Sequence, residues 1–209
     1  NHITTSLSTI NGAWQKRDKL HRYRQDFFQQ GLKLAKKEKF NGYLIHESRD
    51  QYRLNAFLAK LTQHQIQVYP LAEDLEHEGK VYNKEHSYYL PLAQPQYRLI
   101  KTLFNQQTHF KDNSFYDVSG WTLPLAMNIE FHPLNNSWGL AVKTRAWTEQ
   151  HATPAAQTVR NSYAYSFGWH HYLAPKLLNE LLTNEIKVKV ATKPFSSLVD
   201  GKLRHFSTG

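Results

Sequence analysis

Residues 41–75, NGYLIHESRDQYRLNAFLAKLTQHQIQVYPLAEDL, and residues 161–195, NSYAYSFGWHHYLAPKLLNELLTNEIKVKVATKPF, decide the reading of this chain. Set against each other at a constant offset of 120 and without gaps, they share Asn41/Asn161, Tyr43/Tyr163, Tyr52/Tyr172, Leu58/Leu178, Leu61/Leu181, Ile66/Ile186 and Val68/Val188. Each copy reads as a short strand, a loop, a helix of about three turns and an alternating strand. The two-residue spacing of Ile66/Val68 and Ile186/Val188 suits strands, whereas Phe57, Leu58 and Leu61 fall at helical spacing. A helix between two strands predicts a right-handed βαβ crossover and a parallel sheet.

The residues beyond each copy extend the pattern. After the first comes Glu78-Gly79-Lys80-Val81-Tyr82, then a third strand over His86–Leu92, then a helix over Gln94–Phe104 with Pro95 in its first turn. After the second comes Asp200-Gly201-Lys202-Leu203, and the sequence ends at Gly209 before any equivalent of Tyr88–Leu92. The second unit is therefore expected to be truncated. Residues 13–39 place Trp14, Leu20, Tyr23, Phe27, Phe28, Leu32 and Leu34 among charges, which predicts one long amphipathic helix. The expected organisation is a helical segment over 1–40, a first α/β unit over 41–147, a polar linker over 148–160 and a second α/β unit over 161–209. The fold class is α/β: three-layer, with a mostly parallel sheet built from two related βαβ units behind a long helix.

Composition limits the chemistry. The 209 residues are enough for one large or two small cores, and 13% aromatic content is too high for a disordered chain. Mean hydropathy is −0.65 and no apolar run approaches the ~18 residues of a membrane helix. With no cysteine there is no thiol nucleophile, disulfide or thiolate metal site. Of the net charge of +9, residues 1–40 hold nine Lys/Arg against three Asp/Glu. This basic excess crowds Lys16–Lys39, where a solvated helical face explains it better than a nucleic-acid platform with interleaved aromatics. An anionic-polymer binder using that helix is the lesser alternative.

Motifs narrow the field further. None of the twelve histidines has Glu three residues later, and the nearest approach is His109-x-x-Asp112. His46-Glu47 and Glu76-His77-Glu78 are adjacent pairs, which point in different directions on a strand or helix. His170-His171 reads as a loop or helix start. No metal site and no catalytic residue is assigned. There is no Gly-x-Ser-x-Gly, Gly-x-Gly-x-x-Gly or P-loop, and Asp117 and Ser119 read as a turn or helix cap. The remaining ligand candidates are the loops beyond the carboxyl ends of the expected parallel strands: His46, Glu47, Ser48 and Arg49 in one copy, and Ser166, Gly168 and His170 in the other.

The strings Tyr88-Tyr89-Leu90-Pro91-Leu92-Ala93-Gln94-Pro95-Gln96-Tyr97-Arg98-Leu99 and Ser114-Phe115-Tyr116-Asp117-Val118-Ser119-Gly120-Trp121-Thr122-Leu123-Pro124-Leu125 resemble part of large bacterial zinc carboxypeptidase-like proteins of the M14 class. In that family an N-terminal catalytic domain carries the zinc ligands and a glutamate base, and an α/β region of glutamine-amidotransferase-like character lies after it. The resemblance runs over most of residues 10–209 and places this chain in the first part of that later region. It implies a non-catalytic accessory domain, with no cofactor in this piece and zinc in the parent's catalytic domain. It also implies that domain as a partner, contact with peptide or cell-wall material, and a periplasmic or secreted location. Amidotransferase chemistry is not implied, because the cysteine it requires is absent. A self-standing small-molecule-binding module is the alternative from another class.

Overall fold

The computed structural model describes residues 2–106, 122–135, 139–149, 163–199 and 201–208. The chain divides into two compact units, Asn1–Glu47 with Phe57–Glu149, and Ser48–Ala56 with Gln150–Gly209. This division groups a short piece of the first repeat, residues 48–56, with the second copy. The expected linker lies outside the described residues from 150 onward.

The first unit opens with α1 (His2–Gln15) and α2 (Arg17–Ala35), separated at Lys16, so the single helix expected over 13–39 begins earlier, stops sooner and is interrupted. No residue of α1 is buried, and Ile3, Leu7, Ile10 and Trp14 stand exposed along it at helical spacing. The far half of α2 is different. It buries Gly31 and Ala35, and a Cβ built on Gly31 would lie 3.9 Å from the Tyr97 side chain, so small residues permit a close approach.

Next come β1 (Gly42–His46), α3 (Gln51–Gln63), β2 (Tyr69–Pro70), the hairpin strands β3 (Leu75–His77) and β4 (Lys80–Tyr82), β5 (Ser87–Pro91), α4 (Tyr97–Phe104), α5 (Leu123–Ala126) and β6 (Glu130–Leu134). β5 and α4 fall within the strand and helix expected there. Four strands form a sheet in the order β2-β5-β1-β6, and every pairing is antiparallel. This corrects the expected parallel sheet. The β1–α3–β2 crossover does form, but β5 inserts between its two strands and runs against both, making a split βαβ unit. The physical cause is that β2 and β5 are joined by a short hairpin and not by a second helical crossover. Glu78 (φ +51°) and Gly79 (φ +76°) turn the chain within two residues, β4 pairs back on β3, and after residues 83–86 β5 pairs beside β1. β1 is buried at every position because it is paired on both sides and covered on both faces.

The pleat sorts the side chains. On one face Tyr43 stacks on Phe104 of α4 with centroids 4.5 Å apart, and Phe131 and Phe57 pack edge-on against Phe104 at 5.4 and 6.2 Å. On the other face Leu44, Tyr89 and Leu134 join Leu71 and Tyr82, with Leu75 of the hairpin packed against them. The layers are therefore helix, sheet and hairpin, not helices on both faces. Burying each large apolar side chain stabilises by roughly 1.5–3 kcal/mol.

Gln94, inside the family-like string, is buried after β5. Its Oε1 accepts from the Gln67 amide at 2.8 Å, and its Nε2 donates to the carbonyls of Pro91 and Gln67 at 2.7 and 3.2 Å. Tyr97 donates its hydroxyl to Glu38, which also pairs with Lys101 at 3.1 Å, tying α4 to the end of the N-terminal helices. Along the outer side of β2, the Lys143 amide donates to Pro70 and the Trp147 amide to Val68. On β6 the Leu134 carbonyl accepts from Asn41, so its neighbour Pro133 turns its ring nitrogen away from β1.

The second unit contains α6 (Ala174–Thr183), β7 (Phe195–Val199) and β8 (Lys202–Phe206). β7 and β8 form an antiparallel hairpin at Gly201, whose φ of +73° suits glycine. The strands expected over the start of this copy and over Ile186/Val188 do not form among the described residues 163–168 and 186–190. Neither segment joins a sheet among the described residues.

The repeat is nevertheless visible in the backbone. Gln65 (φ +59°) and Glu185 (φ +57°) occupy equivalent left-handed positions after their helices. The Ile66 amide donates to Leu61 at 3.0 Å and the Ile186 amide to Leu181 at 2.9 Å. The Gln65 and Glu185 amides reach Thr62 and Leu182 at 2.8 and 3.1 Å, completing the Schellman pattern at both helix ends.

Candidate functional site

One rung of the first unit's sheet sets Ser87, His46 and Glu130 side by side on β5, β1 and β6, on the face covered by the β3–β4 hairpin. The His46 Nδ1 lies 2.8 Å from the Ser87 hydroxyl, and the ring of Tyr82 stands edge-on to His46 at 5.3 Å. Burial pushes the His46 imidazole below its ordinary value, so it is neutral near pH 7. The residue types are those of a serine hydrolase, but Ser87 is 0% exposed, so no substrate carbonyl can reach its oxygen. The rung is a buried polar seam. His46 was expected in a loop; instead β1 extends through it and Glu47 is buried, its amide donating to His86 at 3.2 Å.

Outward from the seam the polar groups converge. Glu130 accepts from Lys80 at 2.6 and 2.7 Å and from the Tyr82 hydroxyl at 3.0 Å, and it lies 3.0 Å from the His132 Nε2. Burial alone would raise the Glu130 carboxyl, but the hydrogen bonds from Lys80, His132 and Tyr82 outweigh it and hold the group at about 2. Burial, and then the Glu130 carboxylate, push the Tyr82 hydroxyl up to about 12. Beside this network, His77 and Glu78 of the hairpin and His132 of β6 each present a donor atom, all within 4.8 Å of one another. Sequence reasoning passed over these residues because neighbours on a strand diverge. The positive φ at Glu78 and Gly79 bends Glu78 back toward His77, and strand register brings His132 in from 54 positions away. The Glu78-Gly79 pair, a two-residue turn signal, was the clue.

The second unit holds the other candidate loops. Ser48, Arg49, Ser166 and His170 are exposed and Gly168 is half-buried. Here the two repeat-equivalent loops meet, since Arg49, Asp50 and Arg53 lie close enough to influence the charge on His170. Burial first, then the neighbouring His171 and Arg49, hold the His170 imidazole below its usual range. His46 and Glu47 are grouped with the first unit. The residue that organises the meeting, Asp50, was not among those picked from the sequence. It is buried at the start of α3, where its carboxylate accepts from the Arg53 amide at 3.0 Å and from the Tyr172 amide, and the Arg53 guanidinium donates to the His170 carbonyl. Burial opposes its ionisation, but the Arg53 and Tyr172 amides and the nearby Arg53 charge keep its carboxyl below the ordinary range. Asp50 thus works as a helix cap that also pins a second segment.

Asp117, Ser119, His109 and Asp112 lie outside the described residues. Among the described residues no helix is long and apolar enough to cross a membrane. No family model, no curated protein and no solved structure matches this chain.

Proposed function

We propose that this chain is a non-catalytic accessory region of a zinc carboxypeptidase-like protein, built to pack against other parts of that parent. The observation that carries the reading is the unequal burial of the two repeat copies. Tyr43 and Ile66 are 5% and 2% exposed, while their equivalents Tyr163 and Ile186 lie open, Ile186 at 51%. A sequence that keeps apolar side chains at positions its own fold leaves uncovered is consistent with further protein covering them. The open apolar row of α1 supports the same reading. The family-like string is consistent with an accessory role, because Gln94 and Tyr97 are engaged in internal bonds and not presented to a substrate. In this reading the partner is the parent's own catalytic domain, which supplies zinc and the peptidase chemistry, and the location is periplasmic or secreted.

The test is to read the source gene on both sides of these residues and express the longer frame. An upstream His-x-x-Glu with a later His, together with slowed hydrogen exchange at 163–168 and 186–190 in the longer protein, is expected. A start codon just before Asn1 and a stop after Gly209, or unchanged exchange, would overturn the reading.

A second reading, a small-molecule-binding module, is favoured by the convergence of the Arg49 and His170 loops in the second unit. Thermal stabilisation by a small carboxylate that is lost in Arg49→Ala would support it.

A further inference from the structure

We propose that His77, Glu78 and His132 form a binding site for a divalent transition-metal ion of the zinc type, clipping the β3–β4 hairpin to β6. The proposal rests on geometry within the first unit and not on the accessory-region reading.

The donor set is two imidazoles and one carboxylate, a combination suited to zinc and too nitrogen-rich for calcium or magnesium. The three donor atoms already lie within 4.8 Å of one another. Around a zinc ion with bonds of ~2.0–2.2 Å they would stand roughly 3.4 Å apart, a closure of little more than one ångström. The side chains that must move are the ones free to do so. The Glu78 side chain is 76% exposed at the tip of the hairpin, and His77 beside it sits 3.9 Å from the Glu78 carboxylate. His132, by contrast, is already held: its Nε2 lies 3.0 Å from both Glu130 and the Tyr82 hydroxyl, and its ring stands 5.9 Å from that of His77. A histidine oriented by a carboxylate is the usual support of a metal-binding imidazole. Lys80 does not leave an uncompensated cation at the site, because it is paired with Glu130 at 2.6 Å. With three protein ligands, water completes the coordination.

The experiment is to strip the whole chain with a chelator, dialyse it, and titrate it with zinc alone, following heat and thermal midpoint. One ion per chain is expected, with a rise in midpoint that a chelator reverses. His77→Gln and Glu78→Gln should each weaken binding by at least about tenfold while the far-ultraviolet circular dichroism is unchanged, since His77 ends β3 and Glu78 lies in the turn that follows it. Glu130→Gln should weaken it by about tenfold through loss of His132 orientation. Should His132→Gln fail to fold, the two hairpin variants carry the test. Absence of zinc binding at micromolar concentration overturns the proposal. So does zinc binding of the same stoichiometry and affinity in the His77→Gln/Glu78→Gln double variant, which would place the ion on other histidines among the twelve.

Discussion

The rings of Tyr52 and Tyr172, identical residues 120 positions apart in the internal repeat, stack with centroids 5.8 Å apart and planes at 28°. Equivalent residues that touch each other mean that the approach to α3 and the approach to α6 meet through the same feature of each copy. Asp50 locks that meeting, because its carboxylate takes the Arg53 amide from one segment and the Tyr172 amide from the other.

Asp50→Ala is expected to lose a helix cap worth about 0.5–2 kcal/mol and to release the Tyr172 amide as well. Amide hydrogen exchange at Arg53 and Tyr172 should speed up about tenfold. Asp50→Asn keeps one acceptor oxygen but sets an NH2 group against the other amide, so protection should survive at one of Arg53 and Tyr172 and be lost at the other; equal loss at both amides in both variants would refute the capping role.

Gln94→Ala should cost about 2–4 kcal/mol, because the Gln67 amide and two carbonyls lose their partner in a buried place. Gln94→Glu should be at least as damaging, since a carboxylate accepts but cannot donate to Pro91 and Gln67. Urea unfolding of the three proteins decides it, and a Glu variant as stable as wild type would remove the argument.

The acid limb of stability should depend on Glu130. Its folded value of about 2 lies below the 4.5 of an unperturbed glutamate. The stabilisation is therefore complete above about pH 5 and is lost as the pH falls through 4.5 toward 2. Glu130→Gln should flatten the decline in thermal midpoint over that window, and an unchanged decline would assign acid sensitivity to other carboxylates, Asp50 first.

Ile66→Ala and Ile186→Ala remove the same residue from the same cap in the two copies. The first should cost about 2–5 kcal/mol, because Ile66 is fully packed. The second should stay within about 1 kcal/mol in this chain, because Ile186 lies half open to water. Equal costs in thermal unfolding would mean that the second copy packs as the first does.

The repeat was legible because helix ends obey local rules. Leu61/Leu181 and Ile66/Ile186 were read as apolar spacing, and they occupy matching positions of two Schellman caps whose bonds span only five residues. Strand direction was not legible in the same way. Tyr43 and Ile45 look alike whether β1 runs with or against its neighbours, and the choice lies in the connection from β2 to β5, a short β3–β4 hairpin in place of a second helical crossover, after which β5 runs back between β1 and β2. The His77–Glu78–His132 cluster escaped for a related reason, since it depends on the turn of that hairpin and on the pairing of β1 with β6. Asp50 was passed over although Asp ahead of a helical run is an ordinary cap signal.

The two outer strands of the first unit's sheet also differ in kind from those of the second unit. Along β6, Pro133 offers no hydrogen to an approaching chain, and β2 is already screened by the Lys143–Trp147 segment. The β7–β8 hairpin has no comparable protection among the described residues, and Leu198 and Leu203 project into water at 72% and 62% exposure. Self-association of this protein at high concentration should therefore begin on residues 195–206, by addition of one molecule's hairpin to another's. A charged residue at Leu198 or Leu203 would be the economical way to keep it monomeric.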